Sequence, residues 1–140
     1  MLWMRPTLSM HPPRVRSLSI DCKMSQVLKI AALVNALIAV GHGVKGSDLF
    51  GADKAHYRVL PKTAAVPFRT GWYQGCALFA ILAALNYRWS YAGLDSIDRA
   101  VAAIASVTYI VSSYTYRTVG DSAQWPTLIG GILQAYAAFA

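Results

Sequence analysis

The chain is 140 residues long, with 56% hydrophobic and 14% charged residues and not one glutamate. Soluble domains carry about 25% charge, and a domain this small has too much surface per unit volume to hide so much apolar side chain. The composition therefore argues against an ordinary soluble enzyme, and more strongly against disorder. The net charge of +7 is spread between apolar blocks instead of gathered into a patch, a distribution that suits anionic lipid headgroups better than nucleic acid. Cys22 and Cys76 lie in different segments with no CxxC pair, which argues against a redox dithiol and against zinc. Cys76 reads as a small packing residue.

The leader comes first. Residues 1–24 hold Arg5, Arg14, Arg16 and Lys23, three prolines, and no acid before Asp21. Three readings fit: a disordered basic tail, an extension ahead of a true start at Met24, or a transit segment. Residues 25–140 form the folded unit.

Four charge-free windows divide that unit. Ile30–Val44 has 15 residues, Thr70–Tyr87 has 18, Ala100–Tyr116 has 17 and Ser122–Ala140 has 19. Crossing about 30 Å of hydrocarbon takes roughly 20 residues, within a range of 17–25. Lysine and arginine at the ends can snorkel, so the expected spans are 26–44, 70–88, 99–117 and 122–140. Trp72, Tyr73, Tyr87, Trp89, Tyr91 and Trp125 stand near their ends as an interfacial belt would. The fold expected is all-α, an integral membrane bundle of four transmembrane helices. Orientation depends on the leader: basic residues balance across the two sides with it and favour a cytoplasmic first connector without it.

The first span carries Asn35 and His42, two turns apart on one face. Ionisable groups at membrane depth face a bundle interior or a cavity, so His42 is the candidate catalytic acid/base. Its other reading is an interfacial histidine bonded to a neighbouring helix. The connector Lys45–Arg69 includes Asp48 and His56, which with His42 match no metal-ligand spacing; no metal is expected and no residue pattern designates a cofactor. Arg69, Tyr73 and Gln74 open the second span and are candidates to bind a substrate oxygen, or else anchor it at headgroup level. Tyr73, Ala77, Ala80, Ala84 and Tyr87 form a small-residue stripe expected to pack against another helix. In the third span, Ala102, Ser106, Tyr109, Ser113 and Tyr116 share a face, after an Asp95–Asp98 stretch suited to a helix N-terminus. In the fourth, Thr127, Gly131, Gln134 and Ala138 form a seam behind Pro126. Asn35, Gln74, Tyr109 and Gln134 are expected to meet in a polar core, as substrate-binding groups or as inter-helix glue.

The Gly41-His42-Gly43-Val44-Lys45-Gly46 stretch that closes the first span, and Arg69-Thr70-Gly71-Trp72-Tyr73-Gln74-Gly75 that opens the second, resemble small four-span membrane proteins. These are the DoxX-like and anthrone-oxygenase-like groups, and a scaffold that gathers sterol-biosynthetic enzymes, of the kind found beside fungal specialised-metabolite genes. The layout likeness covers about residues 26–140. It implies a role in biosynthesis of a lipophilic small molecule, as an intramembrane oxygenase, isomerase or cyclase, or as a non-catalytic scaffold for partner biosynthetic enzymes. It also implies the lipid bilayer as a partner and the endoplasmic reticulum as location, with a mitochondrial membrane as the alternative if the leader is a transit peptide.

Overall fold

A computed structural model describes residues 17–50 and 60–139, residues 17–21 by their backbone alone. It is all-helical across the described residues: α1 is Ser17–Phe50, α2 Lys62–Ala92, α3 Ser96–Thr118 and α4 Gln124–Phe139. α1 pairs with α2, α3 with α4, and α1 also touches α4. The four helices run alternately up and down and meet in one layer of Leu28, Trp89, Ala102, Ala137 and Ala138, with Leu82, Ala105 and Tyr109 forming a second apolar cluster.

The helices overrun the charge-free windows. α1 reaches back to Ser17, so residues 17–24 of the expected tail continue the helix, and it runs on through Lys45 to Phe50. α2 starts behind Pro61, whose carbonyl accepts from the N–H of Ala64 (2.8 Å) and Ala65 (2.9 Å). Pro67 lies inside α2 and removes the bond its N–H would give the Thr63 carbonyl. By length and hydropathy together, α1 over Cys22–Phe50 alone among the described helices qualifies as a span. In α2 and α3, amides, hydroxyls and tyrosines dilute the windows. α4 has 16 residues, about 24 Å at 1.5 Å per residue.

Burial sorts the faces. On α1 the inward row is Leu28, Ala31, Asn35 and Gly46, while Ile30, Leu33, Leu37, Val40 and Val44 point outward, each row at three-to-four spacing. The α3 and α4 faces are those the sequence indicates: Ala102, Ser106, Tyr109 and Ser113 are buried, as are Thr127, Gly131, Gln134 and Ala138. Three α3 side chains bond α4 carbonyls: Arg99 to Ala138 (3.3 Å), Ser106 to Gly131 (2.9 Å) and Ser113 to Gln124 (2.8 Å). The α2 stripe corrects the expectation. Tyr73, Ala77, Ala80, Ala84 and Tyr87 are all exposed, because α2 turns Leu82, Asn86 and Trp89 inward.

The Asp95–Asp98 stretch is a capping box: Asp95 Oδ1 accepts from the Asp98 N–H (2.8 Å) and Asp98 Oδ2 from the Asp95 N–H (3.3 Å). Asp95→Ala should destabilise the fold by about 1 kcal/mol in equilibrium unfolding, and Asp95→Asn should recover most of the loss.

Candidate functional site

The candidate site is a cleft of about 550 Å³ at the end of the bundle where α1 finishes, α2 begins and α3 turns into α4. Its apolar wall is built from Val34, Leu37, Ile38, Pro126 and Ile129, and its polar end from His42, Lys45, Tyr116, Asp121 and Ser122.

Two glycines set the α1–α2 approach here. The Trp72 indole lies against Gly46, where an added Cβ would stand 2.6 Å from Nε1; the His42 ring lies against Gly75, where a Cβ would stand 3.2 Å from Nε2. The two rings stack with centroids 4.0 Å apart and planes 7° apart, and Phe79 meets His42 edge-on at 5.3 Å. Trp72 Nε1 donates to the His42 carbonyl at 2.8 Å.

The other wall is set by how α3 ends. Gly120, with φ +69°, occupies the left-handed position; its N–H bonds the Arg117 carbonyl (3.1 Å) while the Asp121 N–H bonds Tyr116 (3.0 Å). That is a Schellman termination, for which glycine is the favoured residue. It delivers Asp121 to the start of α4, where Oδ1 accepts from the Ala123 N–H at 2.9 Å and Oδ2 from Lys45 Nζ at 2.5 Å. Lys45 also stands 5.9 Å from the Tyr116 ring centroid. The Ala123 bond, then the Lys45 bond, hold the Asp121 carboxyl below its ordinary 3.8.

The structure separates the sequence-derived candidates into three groups. His42 lines the cleft. Asn35 and Tyr109 lie in the core, where the Tyr109 hydroxyl donates to Asn35 Oδ1, Asn35 Nδ2 donates to the Ala31 carbonyl (2.8 Å) and Phe79 stacks on Tyr109 at 5.5 Å. Gln134 is fully buried one turn beyond Gly130 and Gly131, which lie against Tyr109. Arg69, Tyr73 and Gln74 are exposed and do not line the cleft; Arg69 instead sits 6.0 Å from the Tyr73 ring. One residue of α2 rotates the side chain by about 100°, so turning Trp72 toward α1 turns Tyr73 and Gln74 away. Lys45, Asp121 and Trp72 are cleft residues that the sequence marks only as boundary and belt positions, and Tyr116, expected on the α3 face with Tyr109, lines the cleft as well. The available signal was charge: Lys45 closes the first window and Asp121 opens the fourth, at the same end of an up-and-down bundle. His56 lies outside the described residues, and no group of three potential metal ligands occurs among those described.

No family model matches the chain, and no characterised protein or solved structure matches it either.

Two outcomes are expected. Gly46→Ala should displace the Trp72 ring, removing the near-ultraviolet circular dichroism signal that Trp72→Phe identifies as its own. Because the folded Asp121 carboxyl lies below its unfolded value, its stabilisation is present above the unfolded value and is lost as pH falls through the folded one. Asp121→Asn should therefore flatten the acid limb of a stability–pH profile.

Proposed function

We propose that the protein is an integral membrane bundle of four spanning helices that acts in biosynthesis of a lipophilic small molecule, held in the cleft between α1 and α4. One observation carries the membrane half. Asn35, Asn86, Ser106 and Gln134 are buried, while Leu33 is 61% exposed, Val40 66%, Ile104 69% and Ile132 58%. Water-surrounded helices show the reverse sorting. An apolar solvent leaves aliphatic side chains outside and gathers polar groups, which bond across helices within. The short α4 is accommodated by flanking Trp125 and by local thinning of the bilayer.

The cleft supports the second half. Its apolar wall suits a lipophilic body, and its polar end is charge-balanced by Lys45 with Asp121, so it suits a neutral carbonyl or hydroxyl better than a carboxylate. Of the reaction classes the layout implies, these residues supply proton transfer, the step shared by isomerases and cyclases. With its Nε2 edge set against Gly75 of α2, His42 is left with Nδ1 as the base. It takes a proton from the carbon beside a carbonyl, the electron pair shifts to the oxygen facing Lys45, and the imidazolium returns the proton to another carbon or to the ring-closing position. No oxidant is consumed.

In reconstituted vesicles, the protein should resist alkaline extraction and should quench its Trp72 emission saturably with a neutral polycyclic enone, but not with a fatty-acid anion of equal length. Enone hydrogen exchange in heavy water should fall by at least about 10²-fold in His42→Ala with binding retained. Absence of saturable binding would sink the reading. A second reading, a scaffold for partner enzymes, is favoured by the outward Ala77–Ala80–Ala84 stripe of α2, a surface against which another membrane helix can pack closely. Under it, crosslinking from Ala80→Cys would capture a partner span while His42→Ala changed no product.

A further inference from the structure

Away from the cleft, four buried polar atoms among the described residues have no hydrogen-bond partner: Asn86 Oδ1, Trp89 Nε1, and both Gln134 Oε1 and Nε2. All three residues are fully buried or within 1% of it. Leaving such groups dry and unpaired is costly, and native interiors rarely do so.

The residues that carry these atoms lie within about one turn of each other along the bundle axis. Trp89 packs in a layer with Leu28, Ala102, Ala137 and Ala138. Asn86 precedes Trp89 by three residues and Gln134 precedes Ala137 by three. Since α2 and α4 run the same way, both amides lie one turn inward from that layer. The α1 and α3 residues at this height are small, Ala31 and Ala105, with Ser106 already committed to the Gly131 carbonyl. Asn86 is oriented by its Nδ2, which donates to the Leu82 carbonyl at 2.7 Å, so its oxygen is the end left over. Exchanging O and N of Gln134 changes nothing, because both ends are unpartnered.

The set mixes donors, an indole N–H and an amide NH₂, with two amide oxygens. A cation would be repelled by the donors and an anion by the acceptors. Water, with two hydrogens to give and two lone pairs to accept, matches both. We infer that the Asn86–Trp89–Gln134 layer is an internal hydration site, in which ordered water accepts from Trp89 Nε1 and the Gln134 amide N–H and donates to Asn86 Oδ1 and Gln134 Oε1. The inference concerns the bundle interior and does not depend on what surrounds the helices or on what the cleft binds.

The test is a water-to-protein magnetisation-transfer experiment on protein with ¹⁵N in glutamine side chains and indoles. The Gln134 amide and Trp89 indole signals are assigned by their disappearance in Gln134→Met and Trp89→Phe. Cross-peaks from water to both groups in the unsubstituted protein are expected. Their absence at both, including the case in which Gln134 pairs directly with Asn86, overturns the site. Independently, Asn86→Leu and Gln134→Leu should each lower the unfolding midpoint by about 3 °C or more, because the water loses an anchor and the remaining groups lose their partner. A dry, unpaired layer would instead be relieved by leucine, and a rise in both midpoints overturns the proposal. If a leucine variant does not fold, the magnetisation transfer on the unsubstituted chain decides.

Discussion

The close approach of α1 and α2 at Gly46 and Gly75 is the constraint on which the functional end of the molecule depends. Each helix offers a glycine to the ring of the other, indole on Gly46 and imidazole on Gly75, and the two rings then stack face to face. The stack holds His42 at the cleft wall, and because Lys45 is three residues further along the same helix, it also fixes where the ammonium projects. The distance Lys45 must span to Asp121 is thus set by the contacts α1 makes with α2 at the cleft wall. A methyl group at Gly46 would act on the cleft by this route even though Gly46 does not line it.

A second theme is the layering of the interior. Going inward from the end of the bundle away from the cleft, the interior passes an apolar layer at Leu28 and Trp89, an amide layer at Asn86 and Gln134, the Asn35–Tyr109 hydrogen bond, and the Phe79 and Ile38 level, where the apolar wall of the cleft has already begun at Val34. Small residues, Ala31, Ala105, Gly130 and Gly131, occupy the heights at which amides and the Tyr109 ring need room. Polar groups therefore fix helix register, since a one-turn slip would bury Asn35 against apolar side chains and strand the Tyr109 hydroxyl.

Much of this architecture was legible in the chain. Uncharged windows located all four helices, because charge-free stretches of that length have few other folds, and the buried faces of α3 and α4 follow from hydroxyl and small-residue spacing. The helix ends were not legible from charge: Lys45, Asp48, Lys62 and Arg69 continue helices past the windows, since basic and acidic residues are acceptable helix formers at an exposed end. The inward face of α2 was misread for a specific reason. Its alanine stripe and its Trp72–Gly75–Phe79–Leu82–Asn86 row have the same period, and periodicity alone does not say which of two faces turns inward. The ring–glycine complementarity with α1 decides it, and that is a relation between two helices that neither shows alone. The Lys45–Asp121 pair was missed likewise, because it joins residues 76 apart in the chain.

Asp121 carries several obligations at once. Its N–H closes the end of α3, one carboxylate oxygen secures the first turn of α4, and the other meets Lys45. The turn between α3 and α4 is therefore both a covalent hinge and one lip of the cleft. Its length is fixed at the level of single residues: adding or deleting one residue between Tyr116 and Gln124 would move the carboxylate off the ammonium and out of register with both helix ends together. In a lineage of related chains, this short segment should tolerate side-chain drift at exposed Val119 while admitting no change in length.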